Sequence, residues 1–386
     1  MEEEVKQTKR ADVTESNKKN TEDERVFFGD SSEVNSVGKH DFSVLMRNTV
    51  RKQSLEGFDD CYVDIVDYII RCTHRIWEEK GVGLIYTHYH NDAKVYTGTT
   101  LNKGIDVVIS STLQMLHAFP DRRVIGENVV WSGNDQDGFY SSHRITTVGT
   151  NLGDSIFGPV TGKKISFRVV ADCVVHANRI YQEWLVRDNL YIVKQLGFDP
   201  VEVAQKLAKK RNVFPSVNSQ LWLGESREGQ YAPQTYTPKS DKFNIGDFVL
   251  ELYNKIYEWK LLDQVKRFYA ENAVVHYVCD KDLNGHSQIQ GMLTSLFASF
   301  PNACFLVERV TYNQRATGDG WDVAVRWRLS GLHEGIGYFG EPSGKPVEIL
   351  GVSHLKVVNN KVVEEWMVFD GLDVLTQIYR DITEAE

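Results

Sequence analysis

One stretch of fifteen residues occurs twice in this chain, with the second copy 182 residues after the first. It reads EWLVRDNLYIVKQLG from Glu183 to Gly197 and EWMVFDGLDVLTQIY from Glu365 to Tyr379, with six identical positions and four aliphatic exchanges. Other landmarks repeat at nearly the same spacing: Phe119-Pro120 and Phe300-Pro301, Arg144 and Arg326, Gly149 and Gly331, Gly162-Lys163 and Gly344-Lys345. This pattern indicates an internal duplication that gives two complete domains of one fold, each with its own core.

The length of the chain agrees with two domains. A chain of 386 residues exceeds what one hydrophobic core usually serves, and two domains of about 150 residues fit the common size. We expect the following organisation: a tail at 1–40, a first domain at 41–198, a helix and long linker at 199–242, and a second domain at 243–382.

The two segments outside the domains differ in character. The tail has seven basic and ten acidic side chains and few apolar ones, which predicts a mobile segment, with partner docking by Val26 to Phe28 as the alternative. Four apolar side chains in the linker favour packing against a domain over a free tether: Trp222, Leu223, Tyr231 and Tyr236.

Charge and cysteine content narrow the class of protein. The 44 basic and 53 acidic side chains give a formal charge of -9. The sequence has no long basic stripe, which argues against a nucleic-acid partner. The five cysteines form no CxxC pair, which is typical of a reducing cytoplasm. The N-terminus is charged and no run reaches the ~20 apolar residues of a membrane span. We therefore expect a cytoplasmic protein with neither nucleic acid nor membrane as a partner.

Each half places two helices before a series of strands. In the first half, apolar residues recur at helical spacing from Phe58 to Lys80 and from Ile105 to Ala118. Four strands with turn residues between them are expected to follow: Val124–Trp131, Phe139–Val148, Ile165–His176 and Arg179–Asp188. The second half repeats this order, which predicts an α+β fold with helices packed on one face of a mainly antiparallel sheet.

Each copy of the repeated stretch carries an acid at the end of an apolar stripe. Side chains two residues apart in a strand share a face, which puts Trp184 and Asp188 on one side, and Trp366 and Asp370 likewise. The residues alone leave two interpretations of such an acid. It is either a salt-bridged or capping group, or a desolvated base with a raised pKa.

Several short motifs lie in a characteristic order. The first copy has Phe119-Pro120-Asp121, Gly149-Thr150, Gly153, Thr161-Gly162-Lys163 and Gln195-Leu196-Gly197, and the second keeps Phe300-Pro301, Gly344-Lys345, Glu365-Trp366 and Asp370. The order resembles the SnoaL-like polyketide cyclase (ester cyclase) family of the nuclear transport factor 2-like superfamily. The second copy departs from the pattern at Gly331-Leu332 and at Gln377-Ile378-Tyr379.

The resemblance implies two tandem cone-shaped domains, each with a curved sheet that wraps around a pocket closed by helices. In the cyclases of the family, the acid after the closing tryptophan acts as a general base on a carbon acid, without a metal or organic cofactor. By position, that acid is Asp188 in the first copy and Asp370 in the second.

A base that removes a proton α to a carbonyl also needs donors for the enolate oxygen. His143 and Arg144 are neighbours in a strand, so only one of them faces the pocket. An inward Arg144 would neutralise Asp188 or bind an anionic substrate, whereas an inward His143 would donate to an oxyanion. Arg326 repeats Arg144, so the shared arginine is either structural or a ligand clamp. The other expected substrate contacts are Trp184, His90, Tyr96, Asp172, Trp366 and His354.

Two further patterns suggest sites that we do not expect to form. His88 and His90 have the spacing of zinc ligands, but they lie in a segment that resembles a loop, with no Cys or Glu at ligand spacing. We therefore expect no metal. The glycine-rich segment GTNLGDSIFGP lacks a phosphate-loop pattern and is expected to cross the mouth of the pocket.

Two classes of function remain open. The first is a cofactor-independent enzyme of the cyclase, isomerase or lyase type that acts on a small, largely apolar carbonyl compound, with Asp188, His143 and Asp370 as catalytic residues. The same acid would also serve an epoxide or lactone hydrolase. The second class is a non-catalytic small-molecule-binding or assembly protein. We favour the enzyme, with the first copy active. The two domains are expected to pair within the chain as a pseudo-dimer, with a further homo-oligomer left open.

Overall fold

The computed structural model describes residues 23–30, 34, 50–210, 233–240 and 242–380. The first half contains β1 (Val26–Gly29), α1 (Ile65–Trp77), α2 (Ile85–His88), β2 (Tyr89–Thr97), β3 (Thr100–Lys103), α3 (Ile105–Ala118), β4 (Arg123–Asn134), β5 (Gly138–Thr150), β6 (Lys164–His176), β7 (Arg179–Arg187), α4 (Asn189–Leu196) and α5 (Pro200–Lys210). The second half contains α6 (Ile245–Tyr253), α7 (Val265–Phe268), β8 (Tyr269–Tyr277), β9 (Lys281–Asn284), α8 (Gly285–Ser299), β10 (Cys304–Gln314), β11 (Trp321–Leu332), β12 (Pro346–Val358), β13 (Lys361–Phe369) and α9 (Gly371–Ile378).

The two halves share one sheet topology. The first sheet has the order β3-β2-β7-β6-β5-β4, and the second has β9-β8-β13-β12-β11-β10 with β1 added at its edge. Within each copy, only the β2–β7 and β8–β13 pairs are parallel. The predicted α+β fold and its duplication are confirmed.

Local chemistry sets the helix ends. The first predicted helix begins at Ile65 and not at Phe58, because the carboxylate of Asp64 accepts the backbone N–H of Asp67 at 2.8 Å and caps the helix.

None of the helices in the described ranges is long and apolar enough to cross a bilayer.

Part of the predicted tail is an ordered strand. Val26 to Gly29 form β1, which pairs in parallel with β10 of the second half. Asn313 on β10 donates through Nδ2 to the carbonyls of Gly29 at 2.7 Å and Trp131 at 2.9 Å. The prediction of a mobile tail is therefore wrong for residues 23–30, because this strand bridges the edges of the two sheets.

The segment between the halves agrees in part with expectation. Helix α5 forms as predicted, and Asp199 accepts the backbone N–H groups of Val201 and Glu202 at its start. Tyr236 packs on the second half, where its backbone N–H donates to Asn254. The other apolar side chains predicted to anchor the linker lie outside the described residues: Trp222, Leu223 and Tyr231.

The two halves pack sheet against sheet about a pseudo-twofold axis. The guanidinium of Arg144 lies 3.5 Å from the ring centre of Trp366, and that of the equivalent Arg326 lies 3.6 Å from Trp184. Aliphatic side chains from both sheets form a separate buried cluster between them: Val170, Val186, Leu350, Val352 and Val368. The contact is self-complementary, as in a symmetric homodimer.

Candidate functional site

A cavity of about 230 Å³ lies between the sheet and the helices of the first half. Its wall is mostly apolar, with side chains from α1, α3 and strands β2 to β7, and Ile156 of the glycine-rich loop also lines it. The largest polar groups in the wall are Tyr89, Asn102, Arg122, His143, Glu183, Arg187, Asn189 and Asp370. An apolar cavity with a few convergent polar groups is the usual form of a small-molecule site.

Glu183 is a buried acid on the cavity wall. It lies on the inward face of β7, which it shares with Leu185 and Arg187 because side chains alternate along a strand. The hydroxyl of Tyr89 donates to Oε2 of Glu183 at 3.0 Å. Burial raises the pKa of the Glu183 carboxyl, since a low-dielectric environment disfavours the charged form.

His143 faces the cavity from β5, and its neighbour Arg144 points to the other half. The alternation of the strand therefore selects His143. Burial lowers the pKa of His143 to about 3, so its ring is neutral at pH 7 and has one donor and one acceptor nitrogen. Its Nε2 has no hydrogen-bond partner among the described residues.

Two arginines add positive charge to the cavity wall. The side chain of Arg122 stacks on Trp77, 4.1 Å from the ring centre, and burial lowers its pKa to about 9. Arg187 also has a pKa lowered by burial. Arg122 remains cationic at pH 7, because this pH lies below even its lowered pKa. Arg187 carries a positive charge as well, since a guanidinium is effectively always protonated in proteins.

The structure places Asp188 outside the cavity wall, as a helix cap. Its Oδ1 accepts the backbone N–H of Tyr191 at 3.2 Å, and its Oδ2 accepts the N–H of Cys279 in the second half. Burial raises its pKa to about 6, yet both oxygens are engaged. Of the two interpretations left open by the sequence, the geometry fits the capping one.

Asp370 has the equivalent capping position at α9. Its Oδ1 accepts the backbone N–H groups of Leu372 and Asp373 at 3.0 and 3.1 Å, and its Oδ2 accepts from Nδ2 of Asn189. Unlike Asp188, it lines the cavity of the first half. The second half thus contributes one side chain to the wall of that cavity.

The four stacked side chains of the interface were expected to contact a substrate and instead join the two halves: Trp184, Trp366, Arg144 and Arg326. Each arginine also forms a 2.8 Å ion pair with a glutamate of its own half, Glu127 or Glu308. A structural role of the shared arginine therefore fits better than a ligand clamp.

Three more of the expected contacts lie in the same interface. Oγ of Ser142 and Nε2 of His354 are 2.8 Å apart across it. Asp172 accepts from Tyr140 and lies 3.5 Å from the Arg326 guanidinium of the other half. Tyr96 stacks on Trp184. The physical reason is that the outer face of each sheet is also buried, so an apolar stripe does not identify the pocket face.

The two histidines with zinc spacing point to separate environments. His88 ends α2, where its Nε2 lies 2.6 Å from the hydroxyl of Tyr62. His90 lies in strand β2, not in a loop as expected, and stacks on Tyr181. Within the described part of the chain, no group of three or more metal-ligating side chains is found.

The equivalent interior of the second half is filled by aromatic side chains. Three positions that line the cavity carry larger residues in the second copy: Tyr253 for Thr73, Phe305 for Val124 and Trp327 for Ile145. Gly351 gives the indole its space, since a Cβ there would lie 2.1 Å from Trp327, and Val169 is its counterpart in the first half.

The sequence reasoning missed Glu183, Arg122 and Arg187. Glu183 is the first residue of the repeated stretch, and Glu365 is its equivalent in the second copy. The sequence argument instead selected the acid that follows the tryptophan. The arginines were detectable by comparing the copies, because Ala303 and Phe369 replace them in the second.

Comparison with known proteins identifies the family. The sequence profile of the SnoaL-like polyketide cyclase family matches residues 68–196 and 248–378, which together form more than half of the chain. No curated protein matches the sequence significantly.

Among solved structures, similar chains align with about one third of this one. A candidate SnoaL-like polyketide cyclase from Jannaschia sp. CCS1 is 24% identical, over 37% of this chain and 99% of its own, with a TM-score of 0.32. TsrD from Streptomyces laurentii is 17% identical, over 34% and 94%, with a TM-score of 0.30. A protein with a ketosteroid isomerase-like fold from Catenulispora acidiphila is 14% identical, over 36% and 97%, with a TM-score of 0.29.

Proposed function

Because the chain belongs to the SnoaL-like polyketide cyclase family, we propose that it is a cofactor-independent general-base enzyme of the cyclase or isomerase type. Its substrate is a small carbonyl compound that binds in the cavity of the first half. The observation that carries this proposal is Glu183, a buried carboxyl with a raised pKa on the wall of an otherwise mostly apolar cavity. Perturbed acids in such cavities are typical of active sites.

Glu183 acts as the base in this proposal, in place of Asp188. The Tyr89 hydroxyl fixes Oε2, and Oε1 takes a proton from the carbon α to the substrate carbonyl. The C–H electron pair moves into the enolate, and its negative charge develops on the carbonyl oxygen. A positioned base of this kind contributes ~10²–10⁴ in rate.

The enolate oxygen needs a donor that is already in place. Neutral His143 supplies one with its unpaired Nε2 when that nitrogen carries the proton. Such preorganised donors are worth more inside a protein than in water. The enolate then either attacks a second carbonyl, which closes a ring, or recovers a proton from Glu183 at another carbon, which isomerises the substrate.

The second half has a supporting role in this proposal. It keeps the acid and its tyrosine, since Tyr269 donates to Glu365 at 2.6 Å, but aromatic side chains occupy the space for a ligand. It contributes Asp370 to the cavity wall and covers the outer face of the first sheet.

The test is deuterium exchange at the α-carbon of small β-dicarbonyl compounds in D₂O, followed by NMR. We expect the protein to accelerate exchange and Glu183→Gln to reduce the acceleration about 10²-fold or more. Glu365→Gln is the matched control, because it changes the equivalent buried pair outside the cavity and should exchange at the original rate. The rate should also fall as the pH drops below the raised pKa of Glu183, since a protonated carboxyl is no base. Equal rates for the two variants, or no acceleration by the unaltered protein, would overturn the proposal.

A further inference from the structure

We propose that the substrate of the first-half cavity carries a carboxylate group, which Arg122 and Arg187 bind together. This inference rests on the proposed function, since it assigns the substrate class of the same site. It concerns binding, however, and not the chemistry at Glu183.

Arg122 is a buried cation with unused donors. The residue is 6% exposed, and within the described residues its Nε and Nη1 have no hydrogen-bond partner. Its contacts include the rings of Trp77 and Phe167 and a long 3.4 Å hydrogen bond from Nη2 to Oγ1 of Thr147. A buried charge with unpaired donors is costly, and an anion that reached these donors would supply the missing hydrogen bonds.

Arg187 presents a second guanidinium to the same space. Its Nε is buried and likewise unpaired among the described residues. The two acids that share the cavity accept hydrogen bonds from other groups, Glu183 from Tyr89 and Asp370 from the start of α9 and from Asn189, and both also interact electrostatically with Arg187. The two guanidinium groups repel each other, as the effect of Arg187 on the pKa of Arg122 indicates. A carboxylate between them would remove this repulsion and accept from both.

The duplication gives independent support. The second half has no cavity-lining cations at the equivalent positions, where Ala303 and Phe369 stand. It nevertheless folds with the same topology, so the two arginines are not requirements of the fold. They occur in the copy that has room for a ligand.

The wall also sets the geometry of the ligand. The backbone positions of Glu183 and Arg187 are four residues apart on one face of β7, ~13 Å along a strand, and their side chains are close enough for the two charges to interact. The side chains between them are apolar, including Leu185, Val169 and Ile145. The substrate class is therefore a small keto acid whose apolar body separates the carboxylate from the reacting carbonyl.

Calorimetric binding tests this inference with matched probes, namely 4-oxo-4-phenylbutanoate and 5-oxo-5-phenylpentanoate, each beside its methyl ester. At least one acid should bind about tenfold or more tightly than its ester, because charge-assisted hydrogen bonds are lost in the ester. Arg122→Met and Arg187→Met should each reduce this preference. Arg123→Met is the control, because Arg123 is the sequence neighbour of Arg122 and its side chain is 70% exposed.

Two further readouts separate a binding role from a structural one. Without ligand, Arg122→Met should melt at the same temperature or higher, since it removes an unpaired buried charge; a structural arginine would give a lower melting temperature. Glu183→Gln should keep the preference for the acid, so the inference survives if Glu183 is not the base. Equal binding of every acid and its ester would overturn the inference, and so would a preference for the acid that persists in both Arg122→Met and Arg187→Met. Neither result would affect the outcome of the exchange test.

Discussion

Glu183 and Glu365 occupy equivalent positions, and each accepts a hydrogen bond from an equivalent tyrosine. Their surroundings differ, because Glu183 borders a cavity and Glu365 is fully buried among aromatic side chains. Burial raises the pKa of both carboxyls, that of Glu365 to about 7. The same residue is therefore available to a ligand in one copy and is only a titrating core group in the other.

Glu365 should make stability depend on pH. Its folded pKa of about 7 lies above the ~4.3 of an unfolded chain, so the native state holds the proton more tightly. Its contribution to stability is complete below pH ~4 and is lost as the pH rises through 7. Glu365→Gln imitates the protonated form, and between pH 4.5 and 8 the unaltered protein should lose up to ~3 kcal/mol relative to it. Urea unfolding over this pH range measures the difference, and parallel curves would contradict it.

Asp188 should matter for stability and not for chemistry. It caps α4 and bonds to Cys279 across the interface, so Asp188→Ala should lower the unfolding free energy by about 1–2 kcal/mol. Exchange per folded molecule should stay unchanged. Denaturant unfolding and the exchange assay on one preparation decide this, and lost exchange at full stability would return Asp188 to the role of base.

Sequence reasoning identified the two acids but not their position. Strand alternation was extended to Asp188, whereas β7 ends at Arg187 and Asp188 is the N-cap of the next helix. Alternation predicts nothing beyond the last residue of a strand. Alternation left His143 and Arg144 as alternatives for the pocket face, and in the structure it is His143 that lines the cavity.

At the scale of elements, the sheets are joined by equivalent sets of three side chains. In each half a glutamate at a β-bulge, Glu127 or Glu308, pairs with an arginine that stacks on a tryptophan of the other half. The longer helices and strands were predictable from periodicity, whereas β1 and α4 were not. The sequence did not show which side of each sheet faces the pocket, because both sides are covered. Helices cover one face of the sheet, and the other domain covers the opposite face.

The stacked pairs should be coupled energetically. A double-mutant cycle of Arg144→Met and Trp366→Leu should give an interaction free energy of about 1–2 kcal/mol, since the guanidinium is desolvated over the ring. The equivalent cycle at Arg326 and Trp184 should give a similar value because of the pseudo-twofold axis. Denaturant unfolding of the four variants in each cycle is the measurement, and additive effects would contradict the stacking.

At the scale of the whole molecule, duplication has produced one hollow and one filled domain. The doubled fold was predictable, because both copies keep the motif order and spacing. The difference in their interiors was not, because the replacements of Thr73 by Tyr253 and of Ile145 by Trp327 are each compatible with the local helix or strand. Tyr253 and Trp327 meet Phe305 only through tertiary packing. The ring centre of Phe305 lies 5.1 Å from that of Trp327.

The most direct test of this account is to fill the first cavity as the second is filled. The double variant Ile145→Trp/Val169→Gly reproduces the Trp327 and Gly351 pair, and Ile145→Val is its conservative control. We predict that the double variant unfolds cooperatively but no longer accelerates α-carbon exchange, while the control retains exchange. Exchange at the original rate in a folded protein with its cavity filled would contradict the account.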